Sequence, residues 1–119
     1  MHELSLAEEV IKIAGYEAGK NDAVRVSEIT IEAGIFCGVE IDAFRSALEM
    51  LTEGTMMDKT AINIQRVNGR GFCSECDKEF EMNNRIDTCP VCNSFPSEIR
   101  RGHEFRVVSI VVERNDDKD

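Results

Sequence analysis

Cys73-Ser74-Glu75-Cys76 and, twelve residues further on, Cys89-Pro90-Val91-Cys92 form two C-x-x-C pairs, and they decide how the chain is read. The three-residue offset within each pair lets a tight turn aim both sulfurs at one point. Two such turns can surround a tetrahedral Zn²⁺ with four thiolates at roughly 2.3 Å each. Pro90 stiffens the second turn, and Asp77 and Asn93 follow the pairs at positions that often need a left-handed backbone, which Asp and Asn tolerate. A structural zinc site with four cysteine ligands is the expectation from this spacing. Two disulfides or a redox dithiol are the alternatives, and a reducing compartment disfavours the first.

The 119 residues suffice for one ordinary domain, or for a small domain carrying a metal-held module. No apolar run approaches the ~18 residues of a membrane span, and Met1-His2-Glu3-Leu4 lacks the basic and apolar segments of a signal peptide. Cytoplasmic localisation is therefore expected. Fourteen basic against 23 acidic residues leave a net charge of −9, which suits neither a phosphate backbone nor an anionic membrane. Between Gly69 and Gly102, five basic and six acidic residues give −1, and four thiolates around one Zn²⁺ would subtract two more. A nucleic-acid-binding ribbon would carry a basic surface instead.

Around the cysteines the pattern is α+β. Ser5-Leu6-Ala7-Glu8 reads as a capping box, followed by a narrow helical face of Ala7, Val10, Ile11, Ala14 and Ala18, with Gly19 as the C-terminal cap. On this reading Met1 to Leu4 precede the helix. From Val24 to about Phe36 the chain is β-branched, but Val24 and Val26 differ in parity from Ile29, Ile31 and Ile35. One strand would need a bulge there, or would begin near Ser27. Ile41, Phe44, Leu48 and Leu51 define a second helix ending at Gly54, and Ala61 to Val67 a second strand. Phe105 to Val112 is apolar on both faces, as a central strand would be, and the tail from Arg114 is charged. The expected fold is two helices packed on a three-stranded sheet, with an inserted four-cysteine zinc-ribbon module. The corresponding domains are 1–68 plus 103–119 and 69–102.

A histidine at position two is ordinarily an exposed residue on a frayed end. Its chemistry is nevertheless available: the Met1 α-amine, the His2 amide and the His2 imidazole can close adjacent chelate rings. The Glu3 amide or carboxylate could supply a fourth donor. Nitrogen-rich planar coordination of this kind suits Ni²⁺ or Cu²⁺ better than Zn²⁺.

Several motifs occur in order: Met1-His2-Glu3-Leu4-Ser5-Leu6, Glu32-Ala33-Gly34-Ile35, Gly38-Val39-Glu40, Gly54-Thr55, the paired cysteines, and Gly102-His103-Glu104-Phe105-Arg106-Val107-Val108-Ser109-Ile110. Together they resemble the HypA/HybF family of hydrogenase nickel-incorporation proteins over essentially the whole chain except the charged tail. The resemblance implies a transferable Ni²⁺ bound by Met1, His2 and Glu3, and a structural Zn²⁺ held by Cys73, Cys76, Cys89 and Cys92. It also implies a metallochaperone rather than an enzyme, delivering nickel to the large subunit of [NiFe]-hydrogenase with the GTPase HypB. In some organisms such proteins also serve urease maturation. A zinc-ribbon protein-interaction adaptor without a nickel role is the competing reading. Three residues depart from the family pattern. His103 and Phe105 stand where a non-histidine and a leucine are more frequent, and His103 is expected to be a solvent-exposed residue at the start of a strand, although its neighbourhood would let it reach the nickel site. Cys37 replaces a frequent serine and is expected to be an inert thiol. Neither His103 nor Cys37 is counted as a nickel ligand.

Overall fold

The computed structural model describes residues 2–115. Met1 and residues 116–119 lie outside the described residues. The element order is α1 (His2–Lys20), β1 (Ala23–Gly34), α2 (Ile41–Thr52), β2 (Ala61–Val67), β3 (Gly69–Cys73), β4 (Lys78–Met82), β5 (Glu98–Arg101) and β6 (Phe105–Arg114). Two three-stranded sheets result, ordered β2-β1-β6 and β4-β3-β5. Among the described residues, no helix is long and apolar enough to cross a membrane.

The first compact unit comprises 1–31, 39–64 and 107–119. Helix α1 buries Ala7, Val10, Ala14 and Ala18, and α2 buries Phe44, Leu48 and Thr52. The small α1 face lets the two helices pack closely, while Val26, Ile29 and Ile31 of β1 supply the sheet's share of the core. Thr52 is the polar residue of this core, and its hydroxyl donates to the Leu48 carbonyl at 2.8 Å.

Several local expectations are corrected by the structure. The capping box at Ser5 does not form, because α1 begins at His2 and Ser5 lies exposed within it. Glu3 supplies the reason: its Oε2 accepts from the Glu40 amide at 3.1 Å, which ties down the residues before Ser5, and an acid in the first turn suits the helix dipole. At the other end α1 runs past Gly19 to Lys20, and Asp22 takes the left-handed position with φ 53°.

Strand β1 starts at Ala23 and is continuous. Arg25 meets Glu113, Ser27 bonds the Val111 carbonyl, and Glu32 meets Arg106, all in one antiparallel alignment with β6. The buried face changes between Val26 and Ile29 because the loop after α2 covers Val26: the Val26 amide donates to Met56 O at 3.0 Å and the Thr60 hydroxyl to Val26 O at 2.6 Å. The last strand is longer than expected and lies at the sheet edge, leaving β1 in the centre. Its two apolar faces therefore stay half-covered. Arg114, expected in a charged tail, belongs to this strand.

The second unit comprises 32–38 and 65–106, a wider span than the expected module 69–102. The turn after β1 belongs with it because the Gly34, Ile35 and Phe36 amides donate to the carbonyls of Glu104, Val67 and Gly102 at 2.6, 3.0 and 2.7 Å. Strand β3 pairs antiparallel with β4, Gly69 opposite Met82 through Cys73 opposite Lys78. It also pairs with β5, with an irregularity between Arg70 and Gly71. The core is small: Phe36, Phe80 and Met82, with Cys73 and Cys89. A Cβ at Gly34 would run into the Gly102 backbone, and Gly102 itself has φ 120°, so both positions require glycine.

Candidate metal centres

The cysteine centre is built from two knuckles. Cys73 ends β3, and the chain turns through Asp77 at φ 54° into β4, which brings Cys76 back beside Cys73. In the second knuckle the Asn93 amide donates to Cys89 O at 2.8 Å and the Cys89 amide to Ser94 O at 2.9 Å, with Asn93 at φ 62°. Asp77 and Asn93 thus occupy left-handed positions, as the sequence led one to expect.

All four sulfurs lie within 4.8 Å of one another, with Cys73 Sγ 3.5 Å from Cys92 Sγ and Cys89 Sγ 4.0 Å from Cys76 Sγ. A tetrahedron with metal–sulfur bonds of 2.3 Å has edges of about 3.8 Å, between these values. The donor set therefore fits a four-coordinate thiophilic ion. Cys73 and Cys89 are buried, Cys76 is half-buried and Cys92 is exposed.

Without a metal the thiols share protons unequally. Hydrogen bonds from the Ser94 side chain and amide, aided by Cys73, lower Cys92 to about 6. The Ser94 hydroxyl also lies 2.7 Å from Glu75 Oε2, so its single proton serves one acceptor at a time. The bond with Cys92, then burial, push Cys76 up to about 12. At Cys73 the Cys76 amide pulls downward, but burial and the neighbouring sulfurs outweigh it and the thiol is raised. Metal binding must displace these protons.

At the other candidate site, Met1 lies outside the described residues, while His2 is the exposed first residue of α1. The bond from the Glu40 amide to Glu3 holds the Glu3 carboxyl below its ordinary value. No motif pointed to this tie, since its donor is a backbone N–H 37 residues away; the acid at position 3 was the only signal.

His103 is exposed, its ring 5.9 Å from that of Phe36, and the Arg85 guanidinium stands 5.1 Å from the same ring. Arg85 also donates to Phe36 O at 2.9 Å, an anchor that no sequence pattern announced. Cys37 is half-buried, its amide donating to Gly34 O at 3.1 Å.

Residues 1–112 match the family model described as HypA, hydrogenase/urease nickel incorporation, metallochaperone. The chain belongs to the HypA family. It is 36% identical over 114 residues to the hydrogenase maturation factor HypA of Parabacteroides distasonis, covering 96% of this chain and 99% of that one. HypA of Geobacter metallireducens is likewise 36% identical, over 95% of this chain and 100% of its own. The fold agrees with a solution structure of HypA protein at a TM-score of 0.67 and 25% identity, covering 94% and 96% of the two chains. It also agrees with that of the Ni metallochaperone HypA from Helicobacter pylori at 0.66 and 24%, covering 95% and 98%. HypA proteins are nickel-incorporating metallochaperones of hydrogenase maturation, and the four-cysteine cluster stands in this chain as a zinc-type centre.

Proposed function

We propose that this chain binds Ni(II) at its N-terminus through Met1, His2 and Glu3 and delivers it to the large subunit of [NiFe]-hydrogenase, acting as a carrier and not as an enzyme. The observation that carries the reading is the family match from residue 1 to residue 112, which includes the Met-His-Glu opening. Local physics supports it. The first four amides of a helix have no intrahelical acceptor, so the His2 and Glu3 nitrogens are not committed to the α1 ladder. The Met1 amine, the His2 amide and the His2 imidazole then form fused chelate rings of the planar, nitrogen-rich kind that Ni²⁺ favours. Glu3 contributes through its amide or its second carboxylate oxygen while Oε2 holds the Glu40 amide.

In the same reading, Cys73, Cys76, Cys89 and Cys92 hold a structural Zn²⁺ whose four sulfurs leave no position for an activated water. Nickel handling is assigned to 1–68 plus 103–119 and zinc holding to 69–102. The partners are a HypB-type GTPase, the hydrogenase large subunit and, as the family description suggests, urease maturation proteins. The setting is the cytoplasm, without nucleic acid or membrane.

Two residues added before Met1 displace the amine from His2 and leave both units intact. Calorimetric nickel titration of untagged protein should show one tight site that is lost in the extended chain and in His2→Ala, with zinc content unchanged. Affinity should also fall as pH drops through roughly 6.5, where imidazoles and amines take up protons. Nickel binding that survives both changes overturns the assignment. A wild-type chain that binds zinc and no nickel supports the adaptor reading instead.

A further inference from the structure

The four sulfurs of the cysteine centre are unequally guarded. Cys73 and Cys89 are each 1% exposed and belong to the small core, and half-buried Cys76 packs against it. Cys92 is exposed, and so are its neighbours Val91 and Asn93. A reagent arriving from solvent therefore meets Cys92 first.

Cys92 lies on the outer limb of the second knuckle, a turn fixed at its base. The Cys89 amide donates to Ser94 O at 2.9 Å. Beyond the turn, the Ser97 amide and hydroxyl donate to Phe72 O at 2.9 and 3.0 Å, next to Cys73 in β3. Across the open side runs one more bond. The Ser94 hydroxyl donates to Glu75 Oε2 at 2.7 Å, and Glu75 stands inside the first knuckle, between Cys73 and Cys76. Among the described residues, and apart from the sulfurs themselves, no other side-chain hydrogen bond joins 89–94 to 73–76.

We propose, on the reading that the four cysteines hold Zn²⁺, that the Glu75–Ser94 bond is a latch between the knuckles and that Cys92 is the sulfur at which thiophilic reagents attack and open the centre. A carboxylate oxygen is a better acceptor than a sulfur that already shares a lone pair with a metal, so in the loaded centre the hydroxyl proton stays with Glu75. Ser94 and Cys92 sit two residues apart on one limb, so swinging Cys92 outward stretches the latch. Ser94 and Glu75 are thus positioning residues that act through Cys92, in the way that partners beyond the ligands tune metal retention elsewhere. With an alkylating reagent such as iodoacetamide the step is a displacement: Cys92 Sγ forms a bond to carbon, iodide leaves, and the metal–sulfur bond is given up.

The whole zinc-loaded chain tests this by two readouts. Limited iodoacetamide treatment followed by peptide mass mapping should label Cys92 before Cys73, Cys76 and Cys89. That labelling should be faster in Ser94→Ala, while Cys37, outside the quartet, reacts at the same rate in both proteins. Zinc release to an excess of a pyridylazo dye should be about fivefold faster in Ser94→Ala and in Glu75→Ala, and no faster still in the double variant, because one bond is lost in each. Ser94→Thr, which keeps the hydroxyl, should release zinc within about twofold of the unaltered chain. A chain that takes up no zinc overturns the zinc reading and the latch with it. In a zinc-loaded chain the latch alone is overturned if another ligand is labelled first, if either alanine variant releases zinc at the unaltered rate, or if the two effects multiply. Ser94→Thr behaving like Ser94→Ala, or Cys37 speeding up as much as Cys92, overturns it too.

Discussion

Glu3 is the residue through which local and tertiary demands meet at the start of the chain. Its side chain accepts from the Glu40 amide, the N-cap of α2, which has no side-chain cap of its own. That bond favours the carboxylate, so the folded-state pKa lies below the ordinary 4.5. For a depressed acid the stabilisation is present above the unfolded value and disappears as pH falls through the folded one. The Glu40 amide proton should therefore shift with a midpoint below 4.5 in an NMR titration, and Glu3→Gln should abolish that shift. A midpoint at or above 4.5 would show that the bond does not persist in solution. The sequence revealed the acid and its place near the first turn. It did not reveal the acceptor role, and for that reason Ser5-Leu6-Ala7-Glu8 looked like the start of a helix that in fact begins at His2.

The β4-β3-β5 sheet, taken as an element, shows why the cysteines matter to folding. Its core consists of three large apolar side chains and two of the cysteines themselves, Cys73 and Cys89. On the outer surface Glu79 is paired with Arg100 at 3.2 Å and Arg70 at 3.3 Å, exposed bonds of small individual weight. So small a core would leave a metal held by the four sulfurs as the main cross-link between the two knuckles. Stripping the metal, or Cys73→Ser, should remove hydrogen-exchange protection from residues 69–101 while the helical circular dichroism signal of α1 and α2 changes little. Protection that persists in metal-free protein would make the thiols ordinary core residues. Element boundaries follow the sequence well where a pattern is local: alternation marks β2 at 61–67, and the Ile41, Phe44, Leu48 spacing marks α2. For β6, apolar residues on both faces suggested a central strand, but periodicity reports burial propensity and carries no information about strand order.

Across the whole molecule, the charge of −9 is unevenly shared. The unit formed by 1–31, 39–64 and 107–119 has seven basic against fifteen acidic residues, or −8, whereas 32–38 with 65–106 has seven against eight, or −1. Self-repulsion should therefore weigh on the helical unit, and screening should relieve it. Raising sodium chloride from low salt to about 0.3 M, where the screening length is well below 10 Å, should raise the melting temperature followed at the helical minimum. It should leave the exchange protection of residues 69–101 nearly unchanged. Equal responses in the two units would mean that the charge distribution is without consequence for stability. The sequence by itself determined the four-cysteine donor set, the α+β class and the family, because each rests on residue types at short, fixed spacings. Only the tertiary structure decided that β6 forms an edge, that Glu3 caps a partner 37 residues away, and that the turn after β1 belongs with the cysteine sheet. Those features depend on backbone groups that every residue shares, so no residue type marks them in advance. The four cysteines could be read directly because thiolates at that spacing have few other uses.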